Sequence, residues 1–251
     1  MTTPAEPWAG TDAIAPSDLP TISKLFDDTL ADVKDHFGGY AMAGVGFAAV
    51  QLPLTLVSII GAYALIFASV IPGMQANDDE MVTMGLLGGT GVAILGLTLL
   101  FGLVFPPLQA SLLRAVWAHQ SRGEPLTLSA AFSTATHDLP RVYATVFLLG
   151  TASIIGMVLC YIPALIAAFL FHFAWVLAIV GRRSPFEAMR MSFEHVFSNL
   201  GWNLKIWGVV LLATLLLSNV PLIGTAAAIL CGAAFTLRAA KAAFPDLGSE
   251  S

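Results

Sequence analysis

Asp28, Asp32 and His36 follow one another at intervals of four, so on a helix they form a ridge of two carboxylates and an imidazole. Such a ridge can hold a divalent ion only with ligands supplied from elsewhere in the fold. Taken alone it reads as a solvated polar face, and neither a metal nor a cofactor is expected. His172 stands between Phe171 and Phe173 inside a long apolar run. Haem or metal ligation there needs a partner at equal depth, whereas His36, His119, His137 and His195 fall near the ends of the apolar runs. His172 therefore reads as a packing histidine bonded to a carbonyl or hydroxyl. Glu194 and His195 lack the second histidine of a zinc-protease motif. GLLGGTG, from Gly85 to Gly91, has no lysine for a phosphate and instead suits close helix packing through Gly85 and Gly89. No Asp or Glu stands in the middle of an apolar run, where proton-coupled carriers usually need a carboxylate. The residues point to a protein that is not an enzyme.

The elements that carry these residues are set by composition. Of 251 residues, 57% are hydrophobic and 11% charged, against about 25% charged in a soluble domain. An all-α, polytopic membrane protein is expected. Residues 1–20, rich in proline, read as a disordered tail with no cleavable signal, so that the first span directs insertion. Residues 21–38 form an amphipathic interfacial helix with Ile22, Leu25, Phe26, Leu30 and Val33 on one face. Its acidic polar face favours packing under the bundle or against a partner over strong attraction to anionic lipid. Residues 39–245 supply six transmembrane helices, with further interfacial helices near 128–138 and 185–199, and 246–251 are a short tail. Cys160 and Cys231 lie in apolar runs and read as packing residues, not a disulfide.

The stretch from Gly181 to Leu217 states the repeated plan most clearly. Ser184, Pro185 and Glu187 form a helix start with a hydroxyl cap, a proline at the first position and a capping-box glutamate. Phe186, Met189, Phe193, Val196, Phe197 and Leu200 then make an apolar stripe suited to a membrane interface. Trp202 and Lys205 mark the headgroup level. Arg182, Arg183, Arg190, Phe193, Phe197, Trp202 and Lys205 are the expected contacts to lipid or to a partner. An amphipathic segment followed by a hairpin of two spans occurs from Thr21, from Leu128 and from Ser184, giving three units of one design.

All eleven basic residues fall on one side of the expected spans. Lys24 and Lys34 precede the first span; Arg114, Arg122 and Arg141 surround the second-to-third connection; Arg182, Arg183, Arg190 and Lys205 surround the fourth-to-fifth; Arg238 and Lys241 close the sixth. Under the positive-inside rule both termini are cytoplasmic, in an inner membrane. No basic cluster suggests nucleic acid.

RRSPFEAMRMSFEHVFSNLGWNLKIWGVVLL, with Pro185, Ala188, Ser192, Asn199 and Trp202 at its key positions, resembles the repeated element of the membrane domain found on some glycerophosphoryl diester phosphodiesterases, and related small bacterial inner-membrane proteins. PPLQASLLRAVWAHQSRGEPLTLSAAF fits the same pattern, so the resemblance covers roughly Pro106 to Ala240. It implies the membrane architecture alone, because no room is left for a catalytic barrel of ~250 residues. The expectation is a scaffold, assembly or lipid-organising factor that partners membrane lipids and a membrane protein or further copies of itself. The alternative is a channel or transporter component with a water path lined by Gln51, Thr55, Ser58 and His172.

Overall fold

The computed structural model describes residues 18–76, 78–158, 161–218 and 223–248, with backbone alone for 94–95, 98–101, 158, 161, 218, 223 and 225–226. Most of the expected N-terminal tail, Cys160 and residues 219–222 lie outside the described residues.

Every described element is an α-helix. Thr21 caps α1 (Ile22–Asp35), its hydroxyl accepting from the Lys24 amide. At His36 the chain breaks for one residue and restarts as α2 (Phe37–Ala76), which holds Pro53 and Pro72 internally. Asp78 caps α3 (Asp79–Arg122) through the amides of Glu80 and Met81. Gly123, in the left-handed region at φ 67°, ends it by returning its N–H to His119. The following elements are α4 (Leu128–Ser133), α5 (Leu139–Val158), α6 (Tyr161–Leu170), α7 (Ala174–Ile179), α8 (Pro185–Ser198), α9 (Leu200–Ser218) and α10 (Ile223–Ala243).

The helices pair as α2 with α3, α5 with α6, and α9 with α10. Close approach of α2 and α3 follows the expected glycines. The Ser69 hydroxyl donates to the Gly85 carbonyl at 2.7 Å, and a Cβ on Gly85 or Gly89 would collide with Ser69. Among the described residues three helical stretches, Phe37–Ala76, Leu139–Met157 and Leu200–Leu217, are long and apolar enough to cross a membrane. The all-α membrane character is met, but three such stretches stand where six spans were expected. At 40 and 44 residues, α2 and α3 are roughly 60 Å long and exceed a ~30 Å hydrocarbon core.

Two expected elements take a different form. The fourth of the six expected spans is divided between α6 and α7. Its free backbone groups at the break are taken by α8. The Ser192 hydroxyl donates to the Leu170 carbonyl at 2.8 Å and accepts from the Phe173 amide at 3.3 Å. A side chain from another helix thus supplies what the broken ladder lacks. The interfacial helix expected over 128–138 stops at Ser133. Ser111 bonds the Thr134 amide at 3.2 Å, and Arg114 donates to the carbonyls of Thr134 at 3.1 Å and His137 at 3.3 Å. These contacts from α3 hold the segment as turns.

The large fully buried side chains gather at one end of the bundle, where the C-terminal parts of α3 and α10 meet α7 and α8; Leu112, Phe173, Leu177, Ile179, Ile206 and Leu237 are among them. This is also the end that carries the basic residues. It is called the base below. Toward the other end, α2 exposes Leu56, Val57, Ile60 and Phe67, and α9 exposes Leu212, Leu215 and Leu216. Such continuous apolar exterior is what lipid covers and water does not.

Candidate functional site

Two features of the base bring reactive or recognition groups together. The first is a node built around Asp32. The one-residue break at His36 turns the end of α1 toward the start of α2, while α1 lies against α10. This places the Asp32 side chain, 12% exposed, among groups from three other helices and the α1–α2 break. Arg238 Nη2 of α10 lies 2.8 Å from Asp32 Oδ2, and the Tyr40 hydroxyl of α2 donates to the same oxygen at 2.9 Å. The other oxygen, Oδ1, lies 3.2 Å from His36 Nδ1 and 3.4 Å from His119 Nε2 of α3. Burial alone would raise the Asp32 carboxyl, but the Arg238 and Tyr40 hydrogen bonds and the neighbouring positive charge outweigh it, holding the group below its ordinary range.

His119 is held by its other nitrogen, Nδ1, which sits 2.8 Å from the Glu124 carbonyl. A carbonyl only accepts, so Nδ1 carries a proton and Nε2 turns toward Asp32. The rings of His36 and His119 meet edge to face at 4.4 Å. Gln120, one residue on, donates to the Ala234 carbonyl at 3.2 Å and ties α3 to α10 beside the node. Asp32, His36 and His119 each bring a ligand atom within 4.8 Å of the others, so they are the described residues able to hold a metal ion.

The solvated ridge expected from Asp28, Asp32 and His36 is thus divided. Asp28 is exposed, while Asp32 is withdrawn into an ion-paired network. The spacing of Asp32 and His36 was visible in the sequence. The ligand from elsewhere, His119, and the counterion Arg238 come from distant helices that no local pattern connects to α1.

The second feature is the surface of α8 and its approach. Ser184 caps the helix as its sequence dictates, accepting from the Glu187 amide at 3.3 Å. One face of α8 buries Ala188, Ser192, His195 and Val196. The other exposes Phe186 at 72%, Phe193 at 41% and Phe197 at 69%, the last two stacked with ring centres 5.7 Å apart. Of the seven expected contact residues, Arg182, Arg190, Phe193, Phe197 and Lys205 are exposed, and Arg183 and Trp202 are half-buried. Arg190 pairs with Glu194 at 2.6 Å and Arg183 with Glu187 at 3.5 Å, both along α8 or its approach. Trp202 turns inward; its indole donates to the Pro20 carbonyl at 2.9 Å and its ring packs near Phe173 and His195. Arg182 occupies the left-handed region at φ 52° just after α7. The Gly181 and Arg183 amides return to Val176 and Leu177 around it, a helix ending that usually takes glycine. Arg182 joins Arg114 and Arg122 in lining a cleft of about 230 Å³ with Trp117, Glu124 and Thr134.

Behind α8, His195 is buried among Phe173, Trp202 and Phe244. Burial, then the nearby His172, lowers its imidazole to about 4. His172 itself donates Nδ1 to the Phe169 carbonyl at 2.7 Å, in line with a packing role. An apolar cleft of about 460 Å³ between α1, α2 and α10 is lined by residues such as Val33, Phe37, Leu52 and Leu230, and by none of Gln51, Thr55, Ser58 and His172.

Comparison with known proteins adds relatives without a described activity. No protein-family model matches the chain, and no solved structure matches it. The chain is 29% identical over 184 residues to an uncharacterised protein of Mycobacterium tuberculosis, and equally to one of Mycobacterium bovis. The match covers 66% of this chain and 55% of each relative, so the chain spans about half the length of the curated relatives it matches.

Proposed function

We propose that the protein is a non-enzymatic, six-span membrane protein of the inner membrane, a scaffold or lipid-organising factor that works through amphipathic helices in the cytoplasmic leaflet. In this reading α2, α3, α5, the α6–α7 pair, α9 and α10 cross the bilayer, and α1, α4 and α8 lie at the base. The distribution of basic residues supports a base that faces the cytoplasm together with both termini.

One observation carries the proposal. The face of α8 turned away from the bundle exposes Phe186, Phe193 and Phe197. Burying a phenylalanine side chain is worth roughly 1.5–3 kcal/mol, so three on one ridge favour the acyl boundary strongly over water. The Arg114, Arg122 and Arg182 cleft beside it supplies positive charge at the depth of lipid phosphates.

The test is a nitroxide attached to a cysteine replacing Phe197, in protein reconstituted into phosphatidylethanolamine–phosphatidylglycerol vesicles. Power saturation is expected to show more relaxation by oxygen than by a water-soluble nickel chelate. A label relaxed mainly by the nickel chelate puts α8 in water and removes the proposal's basis. Phe193→Glu with Phe197→Glu is expected to lower retention of co-purified lipid or disturb assembly; unchanged lipid content and oligomer state count against it.

A further inference from the structure

We propose that Asp32, His36 and His119 form a binding site for a divalent transition-metal ion of the zinc class, which clamps α1 to the end of α3. The argument starts from two acceptors that face each other. Because His119 spends its Nδ1 proton on Glu124, neutral His119 presents a lone pair at Nε2, and Asp32 Oδ1 presents another 3.4 Å away. Two lone pairs at that distance repel unless a cation lies between them. His36 Nδ1 stands 3.2 Å from the same oxygen and 3.2 Å from the Asp32 backbone carbonyl, so its ring turns away from that carbonyl to bring the third lone pair.

These spacings suit a metal ion. Bonds of about 2.0–2.1 Å in tetrahedral geometry set neighbouring ligand atoms roughly 3.3 Å apart. Imidazole nitrogen with one carboxylate oxygen selects the zinc, nickel or copper class over magnesium or calcium, which take oxygen ligands. The half-exposed His36 side chain can rotate to complete the set, and its exposure leaves a further position open to water.

The surrounding groups fit the outer layer of such a site. Ligating histidines donate their second nitrogen to a carbonyl or carboxylate, as His119 does to Glu124. Ligating carboxylates are hydrogen-bonded through their other oxygen, as Asp32 is by Tyr40 and Arg238. Arg238 thus sits on Oδ2 and leaves Oδ1 free to meet the ion. Two ligands come from a turn-spaced pair, Asp32 on α1 and His36 at the break after it, and the third from α3, so the ion would join elements far apart in sequence.

The experiment uses the full chain in detergent, stripped with a chelator, reloaded with zinc chloride and desalted. Zinc per chain is read by elemental mass spectrometry, and its affinity by competition with a chromogenic chelator. Wild type is expected to retain about one zinc, with loss of retention in His119→Gln and in His36→Gln. Tyr40→Phe should weaken affinity about tenfold through the outer layer. His137→Gln, exposed and outside the node, should bind as wild type does. Should His119→Gln fail to fold, His36→Gln reads the same question at a half-exposed position. Equal zinc content in wild type and His36→Gln overturns the site, and leaves a proton shared by His119 and Asp32 as the occupant of the gap.

Discussion

The base and the opposite half of the helices differ in what they pack against. At the base, Phe173, Leu177 and Leu237 are almost wholly buried, and polar side chains such as Ser192 and Asn203 are buried with them. In the other half, long helices hold close partners at points such as Gly85 and Ser69 but turn Leu56, Phe67, Leu212 and Leu216 outward. The base is built like a small globular protein, with its own core and its backbone breaks repaired by side chains. The other half is built for a solvent that is itself apolar. One chain therefore follows two packing rules, and the boundary between them lies where amphipathic helices and basic residues collect.

This contrast can be broken or sharpened by substitution, with unfolding followed by titration with sodium dodecyl sulfate in mixed micelles. Leu177→Ala, at 1% exposure, should cost about 2–5 kcal/mol. Ser192→Ala should cost about 1–3 kcal/mol, because the Leu170 carbonyl and the Phe173 amide lose their shared partner at the α6–α7 break. Leu212→Ala, at 57% exposure, should change stability by less than about 0.5 kcal/mol. Equal losses at Leu177 and Leu212 would erase the distinction between the halves.

Acid should act on the base through His195. Its imidazole is ordinarily at 6.5 and is lowered to about 4 by burial beside His172. A group lowered on folding keeps its full contribution above 6.5, loses it as pH falls, and the loss levels off near 4. Stability measured from pH 7.5 to 4 is therefore expected to decline, and His195→Asn should flatten that decline. An identical pH profile in the variant would remove His195 as the cause.

Much of the helix pattern was legible in local sequence, because its causes are local. Thr21, Asp78, Thr127 and Ser184 cap helices through amides two or three residues on, and Gly123 ends α3 as its turn-forming neighbours imply. The close contact at Gly85 and Gly89 was readable from side-chain size. What escaped the sequence depends on distant partners. FLFHFAWV is apolar but for His172, which sits at the division between α6 and α7 and bonds the Phe169 carbonyl; the distant group that stabilises the break is Ser192. The turn after Ser133 is imposed by Ser111 and Arg114 of α3. Trp202 carries the composition of a headgroup anchor, yet Pro20 and Phe173 draw it inward. Asp32 and His36 could be seen as neighbours on a helix, but only folding adds His119, Tyr40 and Arg238.

The most direct test of a lipid-covered half joined to a cytoplasmic base is cysteine accessibility in a chain with Cys160 and Cys231 replaced by alanine. Single cysteines at Asp79, Glu124 and Asp246 would be treated with a membrane-impermeant maleimide in intact spheroplasts and in inverted vesicles. The account predicts Asp79→Cys labelled in spheroplasts, and Glu124→Cys and Asp246→Cys labelled only in inverted vesicles. Labelling of all three positions from the same side would contradict it.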